Sequence, residues 1–345
     1  MAPAWHDAGM AARTAQVRRR HRLSTLLLCC VLGAVTGCGT VQRAIAGYPG
    51  SGPDAPPGTV RIATGTPEGV YYKYGTALAG VVDSRLPGVH AEVDATEGSV
   101  DNLGRVASGR ATLAFSAADA AADAATGQGS FRTALPIQAV ARVYDDYVHL
   151  VVRADSPIHS PADLRGQRVS LGQRGSGTAL ISRRVLALLG LAPSRDLASA
   201  QHLGLTASAD ALQAGLVDAF FWSGGLPTKG ITDLAAELPV RLVPLGDLAR
   251  GMRAHSRTYR AAVVPAGTYP GVLQVQTLAV PDYLVTRAGT DSALVYQLTR
   301  VLFESRDQVA ATVPIAGVLE ARSAIETAPV ALHPGALRYY RDTKR

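Results

Sequence analysis

From Val60 to Ala63 an apolar run leads into a turn containing Gly65, Pro67 and Gly69, after which Val70, Tyr74, Leu78, Val81 and Val82 recur at helical spacing. This is a strand, a glycine turn and a helix start. The first backbone N–H groups of a helix have no partner inside it, and the helix dipole places partial positive charge there. A carboxylate or phosphate can therefore dock at such a turn without any basic side chain. The segment alone restricts the chain to folds in which a helix packs back on the strand that precedes it.

The unit recurs. Val89 to Ala95 alternates as a half-buried strand, and Ser99 stands as an N-cap before Val100, Leu103 and Val106 on one helical face. Gly109 to Phe115 reads as a buried strand, Tyr147 to Arg153 as a strong one, and Val169 to Leu171 as another that ends in Gln173-Arg-Gly-Ser-Gly-Thr178. Ile181, Val185, Leu188 and Leu189 then mark a helix from near Ser176, a third helix N-terminus. Gly215 to Phe221, preceded by a helix with Ala209, Leu212 and Ala214, repeats the plan of Gly109 to Phe115 and the helix before it. Two lobes of like construction facing each other follow from that echo. Val240 to Pro244 and a helix over Leu248 to Tyr259 close the second lobe. Val275 to Val280 and Asp282 to Thr286 return to the first, as Tyr147 to Arg153 leaves it, so the crossing strands form a hinge. Helices near Ala293 to Glu304 and Val318 to Ile325 complete the first lobe.

With 345 residues, 47% of them hydrophobic, the chain can bury two cores of ordinary size. Its net charge of +7 invites a nucleic-acid partner, but five arginines (13, 18, 19, 20 and 22) against one acid, Asp7, lie in residues 1–38, and the remaining excess forms no basic cluster. Those residues have the parts of an export signal: Arg18-Arg-Arg-His-Arg22, the apolar run Leu23 to Val35, and Val35-Thr-Gly-Cys38. The run is too short for a transmembrane helix, which needs about 20 apolar residues. Val35-Thr-Gly-Cys38 resembles a bacterial lipobox, in which the Cys38 thiol receives the lipid. Cys29 and Cys30 leave with the signal, so no disulfide and no free thiol remain. Residues 39–58, rich in Gly and Pro, read as a tether reaching about 25 Å. The expected organisation is a signal at 1–38, a tether at 39–58, lobe I at 59–147 and 287–345, and lobe II at 148–286 with the hinge strands at its ends.

Gly65-Thr-Pro-Glu-Gly-Val-Tyr-Tyr72, Gly98-Ser-Val-Asp-Asn-Leu103, Gly175-Ser-Gly-Thr178, Asp218-Ala-Phe-Phe221 with Gly225 and Pro227, and His333-Pro-Gly-Ala336 with Tyr339-Tyr340 together resemble one family. It is the TAXI family of extracytoplasmic solute-binding proteins, which serve tripartite ATP-independent periplasmic (TRAP) transporters. The resemblance spans about Val60 to Arg345 and implies a two-lobed α/β fold of the periplasmic-binding-protein type II sort. It implies a monomeric receptor, lipid-anchored at the outer face of the cytoplasmic membrane, that clamps a small organic anion (a glutamate-like amino acid or a dicarboxylate) and passes it to a TRAP permease. Carried over by position, Thr64, Gly65, Thr66, Tyr71, Ser99 and Val100 contact ligand from lobe I. Ser176, Gly177 and Thr178 answer from lobe II, with Trp222 as an aromatic wall. His333-Pro-Gly is read as a fold-sealing turn.

Glu68 and Lys73 depart from the family pattern, and a carboxylate pointing into an anion cradle would repel an anionic ligand. Ala117 and Ala118 replace polar residues. Catalysis is not expected: Ser176 lacks the glycine that precedes a nucleophile elbow, no phosphate loop occurs, and the eight histidines have no metal-ligand spacing. The reading therefore names no cofactor and no metal. A lipoprotein reporting to a membrane sensor kinase, or an orphan binding protein without a transporter, uses the same clamp and is the alternative.

Overall fold

The computed structural model describes residues 53–344. The export signal, Cys38 and the tether as far as residue 52 lie outside the described residues. The last tether residues pack on the fold: Ala55 lies against the core, and the Gly58 amide donates to Gly88 O at 2.9 Å.

Ten strands form one mixed sheet: β1 (Gly58–Ala63), β2 (Val89–Asp94), β3 (Leu113–Ala117), β4 (Ile137–Arg153), β5 (Arg168–Ser170), β6 (Ser199–Gln201), β7 (Ala219–Gly224), β8 (Val240–Leu242), β9 (Arg260–Val264) and β10 (Val275–Arg287). Their order is β2-β1-β3-β10-β4-β7-β5-β6, with β8 beside β4 and β9 beside β10. The parallel triplet β2-β1-β3 abuts β10 antiparallel, the parallel triplet β7-β5-β6 abuts β4 antiparallel, and β4 pairs with β10 antiparallel. The echo between the stretches ending in Phe115 and Phe221 is thus an equivalence of position, since β3 and β7 each join a triplet to a long central strand. This is the periplasmic-binding-protein type II architecture expected from the sequence.

Period-two alternation explains the layers. In β3, Leu113 and Phe115 face one core cluster and Ala114 between them another. In β7, Ala219 and Phe221 face the cluster shared across the sheet, while Phe220 faces a third. Helix α1 (Val70–Arg85) buries Tyr74, Leu78, Val81 and Val82, the residues whose spacing predicted it. Helices α2 (Ser99–Ala107), α3 (Ala118–Thr126) and α4 (Gly177–Leu188) cover the shared face, with Leu103, Val106, Ala120, Ala124, Ile181 and Val185 in one cluster.

Several boundaries differ from the sequence reading. The outgoing strand β4 begins at Ile137, ten residues before Tyr147, and β10 is one strand through Pro281 rather than two segments. Ser99 opens α2 itself, and its N-cap is Gly98 at φ 112°, where a Cβ would also lie 3.4 Å from Ser176 Cα. The expected helix over Leu248 to Tyr259 shrinks to Ala249–Met252, because the chain must turn into β9. Val318 to Ile325 holds only the end of a 3-10 turn and a four-residue helix, Ala321–Ala324. His333-Pro-Gly is the start of a helix, Pro334–Thr343: the His333 side chain accepts from the Gly335 amide at 3.2 Å, and its Nε2 lies 3.1 Å from Thr290 O. Among the described residues no helix is long and apolar enough to cross a membrane.

Candidate functional site

A cavity of about 60 Å³ lies where the C-terminal ends of β1, β2, β5 and β7 converge. That is several times the ~10–15 Å³ needed to hold one water. Open α/β sheets place ligands outside the carboxyl ends of their strands. The wall from the first half of the sheet includes Gly65, Thr66, Tyr71 and Ser99, and the wall from the second includes Ser176, Gly177, Thr178 and Trp222. Eight of the ten residues expected to touch ligand therefore face one space. Thr64 and Val100 do not line it. Thr64 is fully buried behind the turn, its hydroxyl donating to Asp94 O at 2.6 Å.

The helix starts contribute unequally. Gly69, the N-cap of α1, has no side-chain cap bond and lines the cavity. Gly177 and Thr178, the first residues of α4, line it as well. The start of α2 is taken: the Val100 and Asp101 amides donate to Gly175 O at 3.0 and 3.1 Å, a bond from one half of the sheet to the other. Of the three helix N-termini read from the sequence, two border the cavity with free amides, because a carbonyl already fills the start of α2.

Hydroxyls expected to meet ligand also have local work. Ser176 Oγ accepts from the Ala179 amide at 3.0 Å and donates to Gln173 O at 2.6 Å, capping α4. Thr178 Oγ1 accepts from the Ser223 amide at 3.1 Å, and Ser99 Oγ accepts from the Ala117 amide at 3.1 Å. The Trp222 indole donates to Thr228 Oγ1 at 3.1 Å, leaving its ring as a wall. Glu68 and Lys73 do not line the cavity; they border a separate surface groove with Asp210, Lys229 and Asp233. Ala117 and Ala118 are fully buried core residues.

The sequence reading missed Glu97, Tyr144, Asp146, Gln173 and Ser223, all of which line the cavity. Asp146 on β4 and Asp282 on β10 are buried, 5% and 0% exposed, with their carboxyl groups close enough to share a proton. Tyr71 OH donates to Asp282 Oδ1, and Ser223 Oγ donates to Asp146 Oδ2 at 3.3 Å. Burial pushes Asp146 up to about 7, against the pull of its hydrogen bonds from Asp282 and Ser223. Burial, then the charge of Asp146, drives Asp282 well above the carboxylate range. Burial likewise raises Tyr71 and Tyr144. Asp145-Asp146 inside the apolar strand Val143 to Val152 was the available signal, because acids are almost never fully buried without a partner.

An α/β sheet of two parallel triplets joined by a long antiparallel pair, with a cavity at the strand ends, defines a periplasmic-binding-protein type II fold. Within that class, the chain belongs to the NMT1-like family, whose model matches residues 62–343. Among solved structures it is similar to XAC2383 from Xanthomonas citri bound to ATP, with 18% identity over 83% of this chain and 99% of that chain and a TM-score of 0.52. It is also similar to the periplasmic aliphatic sulphonate binding protein SsuA from Escherichia coli, with 17% identity over 83% of this chain and 79% of that chain and a TM-score of 0.45. At these identities the likeness is one of fold.

Proposed function

We propose that the protein is an extracytoplasmic solute-binding receptor of the TAXI type, which clamps a small organic anion of the glutamate-like or dicarboxylate kind and delivers it to a TRAP permease. The observation that carries this reading is the cavity between Thr66 and Tyr71 on one side and Gly177 and Thr178 on the other. Two helix starts facing one cleft suit a carboxylate, since charge-assisted hydrogen bonds are stronger than neutral ones. In this proposal residues 59–147 and 287–345 form one lobe, residues 148–286 the other, and β4 and β10 carry the hinge. Lipid attachment at Cys38 would hold the receptor at the outer face of the cytoplasmic membrane, within reach of the permease. No catalytic role is assigned to any residue.

A thermal-shift screen of L-amino acids, 2-oxo acids and dicarboxylates on the folded chain tests the reading, because a ligand bound only by the native state raises the melting temperature. A rise of several degrees for at least one anionic class is expected. Flat melting curves across all three classes would remove the clamp.

A further inference from the structure

We infer that Asp146 selects ligands bearing a protonated amino group, which it meets as a carboxylate while its buried partner Asp282 keeps the pair's one proton. The inference rests on the solute-clamp reading and narrows it, setting amino-bearing ligands apart from dicarboxylates.

Charge is the first ground. The lining includes two acids, Glu97 and Asp146, and no Lys, Arg or His. Among the lining residues the positive potential comes from the starts of α1 and α4, which suits one carboxylate and leaves the surroundings of Asp146 hostile to a second. A zwitterion matches both ends.

Orphaned atoms are the second. Asp146 Oδ1 and Asp282 Oδ2 are buried without a donor, so with both groups ionised each would be left unsatisfied. One proton between them satisfies both. The pair then carries a single negative charge, which belongs on Asp146 because Asp146 reaches the cavity and accepts from Ser223. Tyr144, 3% exposed and lining the same space, has a hydroxyl with no partner, as does Thr66. These unfilled polar groups beside Asp146 point to a ligand that supplies hydrogen bonds there.

The groups facing the pair leave no other cation to do this. Tyr71 faces it from α1, backed by Ser99 of α2, with Asp119 of α3, Tyr144 and Asp145 of β4, and Ser223 of β7 also near it. Arg184 is engaged by Asp119 and Asp123, and Arg142 and Arg260 by Asp145. In the empty protein Asp146 takes up a proton as pH falls through about 7. Binding below that pH therefore converts the Asp146 carboxylic acid and R–NH₃⁺ into a carboxylate–ammonium pair and releases one H⁺ to solvent.

Isothermal titration calorimetry on the full chain, with L-glutamate, L-glutamine and L-alanine against 2-oxoglutarate, 2-hydroxyglutarate and succinate, tests this. Amino-bearing members are expected to bind, about tenfold more weakly at pH 6 than at pH 8. At pH 6, two buffers of different ionisation enthalpy should report close to one proton released per ligand. Asp146→Asn is expected to weaken binding by about 30-fold or more and to abolish the pH slope. Its melting curve reports folding, and if it does not fold the two-buffer comparison on the unaltered chain still decides. Tighter binding of the oxo acid, hydroxy acid or succinate than of the amino acids, or amino-acid binding without proton release at pH 6, overturns the inference and leaves the solute clamp standing. Silence from all six compounds counts against both.

Discussion

Asn102 shows how one side chain can set a cavity wall. It is fully buried, its Nδ2 donates to Thr64 O at 2.6 Å and Phe115 O at 2.8 Å, and its Oδ1 accepts from Thr96 Oγ1 at 2.7 Å. The ends of β1 and β3 are thereby tied to α2 directly behind the turn that carries Gly65 and Thr66. Asn102→Ala would leave two buried carbonyls without this donor, at a cost of about 1–3 kcal/mol each in the worst case. A fall in unfolding free energy of that order, read by urea denaturation with unchanged m-value, is the expected result. Full wild-type stability would show that water replaces the amide. The sequence placed Asn102 on a helix start but not its reach, since nothing local reveals which carbonyls will lie opposite it.

Helices α3 and α4 are held together by charge in a place where charge is costly. Arg184 on α4 donates to Asp119 and Asp123 of α3, both at 2.6 Å, and Tyr259 OH donates to Asp119, which is fully buried. Removing one member of a buried ion pair strands the other. Arg184→Ala is expected to destabilise the chain by about 3–5 kcal/mol, measured by denaturant unfolding, and Asp119→Ala in the same background should recover part of the loss. Additive losses in the double variant would contradict the coupling. The apolar period of α4 was legible as Ile181 and Val185, both now in the core. The partner of Arg184 was not, because a helical period marks a face and not what will cover it. The helix expected over Leu248 to Tyr259 failed for a related reason: a local apolar pattern cannot foresee that Arg260 to Val264 will be drawn out to pair with β10.

Across the whole molecule, the two halves meet at Gly175. Its carbonyl accepts from the Val100 and Asp101 amides, and a Cβ at this position would lie 3.0 Å from Glu97 Cβ and 3.3 Å from Asp101 Cβ. A side chain here would wedge the halves apart. Gly175→Val is expected to enlarge the radius of gyration in small-angle scattering and to weaken ligand binding, while unfolding free energy changes little because the wedge lies outside the core. A variant as compact as the parent, with full affinity, would show that a side chain here forms no wedge. The motif Gly175-Ser-Gly-Thr178 was readable as a helix start, and Ser176 does cap α4. Its contact with the start of α2 was not readable, since it joins residues from opposite halves of the sheet.

The strands that carry the glycine turns, the apolar faces of α1 and α4 and the echo between the stretches ending in Phe115 and Phe221 were legible in the sequence alone, because each depends on neighbours within a few turns of chain. Most of the cavity wall was legible too, as Gly65, Thr66, Tyr71, Ser99 and Ser176 to Thr178 follow strand ends. The meeting of Asp146 and Asp282, the occupation of the α2 start by Gly175 and the absence of a basic side chain from the lining were decided only in three dimensions. Burial, proton sharing and net charge in a cavity are properties of atoms brought together through space, and those atoms lie on strands far apart along the chain.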